Sequence, residues 1–174
     1  MQVGQSTTIR ATALVNGGLA FATFVSSNPT IASVDSLTGQ IRCLTPGNAT
    51  VTVTGGGTTK TVAVTCTPAV LIDVTPTTVP FTHSVGVTTC PQRIGTLRIT
   101  NLSGAAITVT LTPSNPALVL DSASVSVAAS GSADVGVSFN CSVQSSFSAT
   151  IAVVASNGTA TDTKTVVVQA TVNR

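Results

Sequence analysis

Nucleophilic or acid–base chemistry in this chain would have to pass through very few side chains. There is one histidine, His83, and the only acids are Asp35, Asp73, Asp121, Asp134 and Asp162, with no glutamate. A Ser/His/Asp relay needs its histidine beside a serine held on a sharp turn, and no such spaced motif accompanies His83. It reads as a surface histidine in a Pro-rich edge segment. A glycosidase needs two carboxylates facing each other across a cleft. Here each aspartate sits by a turn or on the outer, Thr-like face of a strand, and Asp35 reads as hydrogen-bonding its own turn. Calcium would need several convergent oxygens, which no aspartate cluster supplies. The remaining chemistry-bearing residues are Cys43, Cys66, Cys90 and Cys141. Zinc is disfavoured by the lack of a C-x-x-C pair and by the single histidine. An even set of cysteines in so uncharged a chain points to disulfides, with four buried free thiols as the alternative. The residue reading assigns no catalytic residue, no metal and no cofactor.

Ligand binding through aromatic faces is thinly supplied. Sugar platforms rest on exposed Trp or Tyr, and this chain has neither, only five Phe. Phe24 and Phe139 read as core anchors, which leaves Phe21, Phe81 and Phe147, the last also read as core. Asn48, Asn101, Asn140 and Asn157 open N-x-S/T triplets, which arise by chance in a chain this rich in Asn and Thr.

Composition narrows the partners. Charged residues make up 7% of the 174, and the net charge is +2 from scattered Lys and Arg. That pattern excludes a nucleic-acid footprint, which needs clustered cations. Mean hydropathy is +0.51, yet no run approaches the roughly 20 apolar residues of a membrane span. Aromatic girdles of a membrane barrel are missing too, so no membrane insertion is expected. Met1 is followed directly by polar residues and a strand pattern, with no apolar leader.

The elements that must position these residues are strands. Residues 26–54 read as three short strands joined by two turns, Asp35-Ser36-Leu37-Thr38-Gly39 and Thr45-Pro46-Gly47-Asn48. The second suits type II geometry, with Pro presetting φ and Gly accepting a positive one. Residues 5–14 read as one strand alternating Ile9, Ala11 and Ala13 with Thr8, Arg10 and Thr12. Asn16-Gly17-Gly18 signals a hairpin, and residues 20–25 return with Phe24. Residues 60–66 close a first domain with Val62, Val64 and Cys66 on one face. Thr67-Pro68-Ala69 reads as a linker, which gives domains at 1–67 and 68–174. The second half repeats the style. Strands are expected over 70–74, over 95–101, at Ile107, Val109 and Leu111, and at Val135, Val137 and Phe139. Two more are expected over 147–153 and 166–172, joined by an Asn157-Gly158 hairpin. Pro76 and Pro80 keep their segment at a sheet edge. No segment has helical periodicity, so the chain reads as all-β, two tandem sandwiches.

Val3-Gly4-Gln5-Ser6, Phe24, SSNPTIASVD, TGQI and TPGNATVTV, in that order, resemble the bacterial Ig-like domain of group 2 over residues 3–65. Phe24 stands where that family usually has Trp. Residues 70–173 resemble the abnormal-spindle/Hydin-type Ig-like domain, related to the major sperm protein fold. GTLRITNLSGAAITVTL, VSVAASGSADVGVSF followed by Asn140-Cys141, and SATIAVVASNG carry that likeness. Here Ala129-Ser130-Gly131 stands for the usual Pro-Gly, and Cys141 lies near a usual Pro.

In an Ig-like layout, Cys43 and Cys66 share parity with core residues at the ends of neighbouring strand segments. Cys141 shares parity with Val137 and Phe139, and Cys90 precedes the strand expected to lie beside it. The pairs expected are Cys43–Cys66 and Cys90–Cys141. The resemblance implies two Ig-like β-sandwiches and a non-catalytic, structural or adhesive role on an outer surface. A phage virion, as capsid or tail decoration, is preferred for want of a leader. A bacterial adhesin repeat and an accessory carbohydrate-binding domain of a secreted enzyme are the alternatives. Partners expected are other subunits of the assembly, with a host glycan as a further candidate. Family members have a strand before the Val3-Gly4-Gln5 segment, whose lack here implies an open edge covered by a neighbour in an oligomer.

Overall fold

The computed structural model describes residues 1–84, 86, 90–142 and 145–173, with the side chain of Val172 left aside. It divides into two compact units, Met1–Ala69 and Val70–Arg174, where the sequence reading ended its first domain at residue 67. Both units are built from strands, and the all-β expectation holds.

In the first unit one sheet is ordered β1 (Ser6–Thr8), β6 (Gln40–Cys43), β5 (Ala32–Val34). The other is β4 (Thr23–Ser26), β7 (Gly47–Gly55), β8 (Thr58–Cys66), and β2 (Ala13–Val15) and β3 (Gly18–Ala20) form a separate hairpin. The core is small, and Phe24, Ile41, Val51, Val53 and Val64 form most of it with the two half-cystines. Asp35 anchors the first turn of the 26–54 stretch, its Oδ1 accepting the amides of Leu37 at 3.0 Å and Thr38 at 2.7 Å. That turn closes on Gly39 at φ +68, where a Cβ would stand 2.6 Å from the Ile9 carbonyl and 2.8 Å from the Phe24 ring. Only glycine lets the anchor ring lie against this turn.

Three local expectations need correction. Residues 5–14 are not one strand: β1 ends at Thr8, the Ile9 amide turns to the Gly39 carbonyl, and β2 begins at Ala13. The alternating residues there are alanines, too small to hold a pleat against a core, and Ala11 is exposed. Residues 20–25 likewise break, with Phe21 and Ala22 between β3 and β4. Gly47 has the positive φ foreseen, but at +146° it already belongs to β7 rather than to a type II turn.

The second unit is a larger sandwich. Its five-stranded sheet is ordered β10 (Thr78–Ser84), β17 (Thr161–Asn173), β16 (Phe147–Ser156), β12 (Ile107–Pro113), β14 (Ser124–Val127). Its four-stranded sheet is β13 (Leu118–Leu120), β15 (Ser132–Phe139), β11 (Gln92–Asn101), β9 (Ile72–Thr75). Leu97, Ile99, Val109, Leu111, Val137 and Ile151 fill the space between them. β10 carries Pro80 on a sheet edge and runs parallel to β17, as an edge proline should.

Candidate functional site

The four cysteines are joined as Cys43–Cys66 and Cys90–Cys141, with Cα atoms 5.6 Å and 6.1 Å apart. Cys43 ends β6 and Cys66 ends β8, both buried, so the first bridge ties the two sheets of its unit through the core. Cys141 does not continue the parity of β15. It lies past the strand end with φ +61, and from that left-handed turn it reaches Cys90 just ahead of β11.

The residues that could have done acid–base work are engaged structurally. His83 is buried, not on the surface, because it shares the inward face of β10 with Val79. Its Nδ1 lies 3.3 Å from the Gln92 Oε1 and its ring stands edge-on to Phe139 at 5.1 Å. Phe139 is fully buried, flanked by Phe81 at 5.2 Å and Phe147 at 5.8 Å. Phe24, the other expected anchor, is buried too. Asp162 corrects the outer-face expectation: it is buried, and its Oδ2 accepts the amides of Leu71 at 2.8 Å and Ile72 at 3.1 Å. Asp121 pairs with Arg93 at 2.7 Å, and Asp134 with Arg98 in a two-pronged contact at 2.9 and 3.0 Å. The Arg98 hydrogen bond holds the Asp134 carboxyl below its ordinary range, while the backbone amide of Thr38 does so for Asp35. Among the described residues no group of three or more His, Cys, Asp or Glu could hold a metal. No helix there is long and apolar enough to cross a membrane.

What the first unit does expose is an open face. β8 pairs with β7 on one side, Val62 opposite Val51 and Lys60 opposite Val53. Directly opposed residues share a face of the sheet, so Lys60 and Val62 belong to the core-facing side. Yet Val62 is 37% exposed, whereas Val64, next on that side, is 6% exposed. The core runs out between them. A cleft of about 520 Å³ opens there, floored by Val53 and Val62 and walled by residues 9–14, with Arg10 and Lys60 on its lining. A second cleft of about 370 Å³ continues it between Ile9, Ile41 and Val62. Beside it Leu14, Leu19, Phe21 and Leu37 are exposed, Phe21 at 98%. Sequence reading missed this face because it assigned residues 9–13 to a strand whose alanines would have covered it.

Among solved structures, a Caenorhabditis elegans MSP family member is 15% identical at a TM-score of 0.42, covering 59% of this chain and 98% of its own. Domains 1–6 of the surface layer protein SbsC are 22% identical at 0.41, over 88% of this chain. The YadV chaperone is 8% identical at 0.50, over 60% of this chain. The chain spans 20% of the SbsC structure's length and 53% of the chaperone's. These likenesses concern the fold alone. Comparison with curated proteins finds no match. Residues 1–66 match the family model of the bacterial Ig-like domain (group 2), which is the family that residues 3–65 resemble by motif.

Proposed function

We propose that this chain is a non-catalytic structural and adhesive module displayed on an outer surface. The observation that carries the reading is one disulfide within each unit, Cys43–Cys66 and Cys90–Cys141. Such bridges persist in oxidising surroundings and are rare where thiols are kept reduced. The Ig-like match of residues 1–66 agrees with a display role, although sandwiches of this kind host many functions. A non-catalytic role is supported by where the candidate groups are spent. His83 is packed on Phe139, Asp162 holds two amides, and Asp121 and Asp134 are paired with arginines.

On this reading the setting is a phage virion, as capsid or tail decoration, or a bacterial cell surface. Immunogold labelling of intact particles and of unpermeabilised cells tests it, with proteomics of purified virions against protease-shaved cells. Labelling of either surface by antibodies to the chain is the expected result. A chain found only in the soluble interior, with its cysteines reduced, would overturn the proposal.

A further inference from the structure

The chain has two Asn-Gly dipeptides, Asn16-Gly17 and Asn157-Gly158, and both stand in turns between paired strands. Such a dipeptide carries a reaction of its own. The glycine nitrogen attacks the asparagine Cγ, a C–N bond forms, ammonia leaves, and a five-membered succinimide remains. Water then adds to one of the two ring carbonyls and opens the ring, which leaves aspartate or isoaspartate. Glycine admits the attack most freely because no Cβ shields its nitrogen. The reaction needs a free carboxamide, a free glycine nitrogen and a backbone able to swing the two together.

The two turns differ in all three respects. At the first, Asn16 is exposed, and among the described residues neither its carboxamide nor the Gly17 nitrogen has a hydrogen-bond partner. A Cβ built on Gly17 would meet nothing within 4 Å. The φ values of +51 and +82 fit a type I′ turn, which must open for the nitrogen to swing toward Cγ. Opening costs little there. β2 and β3 have three residues each and form a two-stranded sheet of their own, and a lone hairpin is marginally stable. At the second turn, the Asn157 Oδ1 accepts the amides of Thr159 at 3.0 Å and Ala160 at 2.9 Å and the Thr159 hydroxyl at 2.9 Å. The Gly158 amide donates to the Ser156 Oγ at 3.2 Å. The strands joined there, β16 and β17, pair over 10 positions inside a five-stranded sheet, so that turn opens far less often.

We propose that Asn16 is a site of spontaneous deamidation in the folded chain, whereas Asn157 is held against it. The product sets a carboxylate in a unit whose sole acid is Asp35 and lowers the net charge of +2 by one. Isoaspartate also lengthens the main chain by a methylene that the two-residue turn cannot take, so β2 and β3 part and their exposed Leu14, Val15 and Leu19 lose register. The change needs no enzyme, only water and time, and it does not depend on where the chain is displayed.

The test incubates the full, oxidised chain at mildly alkaline pH, where the attacking nitrogen loses its proton more often, and follows both sites by peptide mapping with mass spectrometry. Asn16 should convert about tenfold or more faster than Asn157, and residues 13–20 should exchange hydrogen faster in the modified chain. Hydroxylamine, which cleaves the succinimide, should cut the native chain between residues 16 and 17 alone. Once the chain is unfolded in guanidinium, it should cut both Asn-Gly bonds. Equal native rates at the two sites overturn the proposal, and so does an Asn16 that converts only after unfolding.

Discussion

The two units solve the same problem, closing a β-sandwich with few charges, to different degrees of completeness. Most of the described charges of the second unit are paired: Arg93 with Asp121, Arg98 with Asp134, Lys164 with Asp162. Its edge strands are short, as in β9, β13 and β14, or carry a proline, as in β10. The first unit has Arg10, Arg42 and Lys60 against a single acid, Asp35, which is spent on its own turn. Its longest edge strand, β8, lacks a proline, and eight of the large exposed apolar side chains among the described residues belong to this unit: Leu14, Val15, Leu19, Phe21, Val25, Leu37, Leu44 and Val62. The difference teaches that the second unit covers most of its apolar side chains and ties up most of its charges by itself, whereas the first leaves many of both exposed.

If that contrast is right, the same lesion should cost the second unit more. Phe139 is enclosed by Phe81, Phe147 and His83, so Phe139→Ala leaves a cavity with walls that cannot collapse and should cost about 4–5 kcal/mol. Phe24 borders a unit with room to relax, and Phe24→Ala should cost about 3 kcal/mol. Thr52→Ala, on the outer face of β7, should change little. Urea unfolding of each variant measures all three, and a larger loss at Phe24 than at Phe139 would reverse the comparison.

The bridges sharpen it next. Cys90–Cys141 spans 51 residues of sequence and Cys43–Cys66 spans 23, so loop entropy assigns them about 4 and about 3 kcal/mol. Replacing each pair by alanines and following denaturation should rank them in that order. The third lesion is polar. Asp162→Ala strips two buried amides of their acceptor and should lower the second unit's stability by about 3 kcal/mol. Asp35→Ala exposes amides that water can reach, and its effect on the first unit should be clearly smaller by the same measurement.

How much of this was legible depends on whether a signal was local. The Asp35 turn and the Asn16-Gly17 hairpin follow from short-range chemistry and the Cys43–Cys66 pair from strand parity, and the structure contains them; it contains the Cys90–Cys141 pair too, although Cys141 leaves the parity expected of it. β13 and β14 escaped because strands of three and four residues, set among Ser, Asn and Pro, carry too few alternations to register. His83 and Asp162 were misplaced for a different reason. Each is buried by a partner far off in sequence, Phe139 for the histidine and the amides of Leu71 and Ile72 for the aspartate, and no window around either residue contains it. The open cleft was not foreseen. Its cations and its location beside residues 9–14 required the break after Thr8, which small alternating alanines disguised. The match to the group 2 family ends at residue 66, so the second unit's likeness to the Hydin-type domain rests on its motifs.

The smallest effect separates the units by the cause of one property they share. Asp35 and Asp134 both titrate below the ordinary carboxylate value of 3.8. Lowered pKa values mean that each contributes stability that is complete above that value and fades as pH falls through the lower folded-state value. The causes differ: for Asp35 the largest is the fixed amide of Thr38, for Asp134 the hydrogen bond from the exposed Arg98. An amide in a turn keeps its geometry in salt, whereas an exposed ion pair is screened and its partner can swing away. Carbon-detected NMR titration of the two carboxyls, at low salt and near 1 M, should leave Asp35 nearly where it was and move Asp134 back toward 3.8. Arg98→Gln should move Asp134 in the same direction at low salt and leave Asp35 alone. Equal salt shifts at both carboxyls would show that the first unit's turn is as loosely held as the second unit's surface pair, and the distinction between fixed and screened partners would fall.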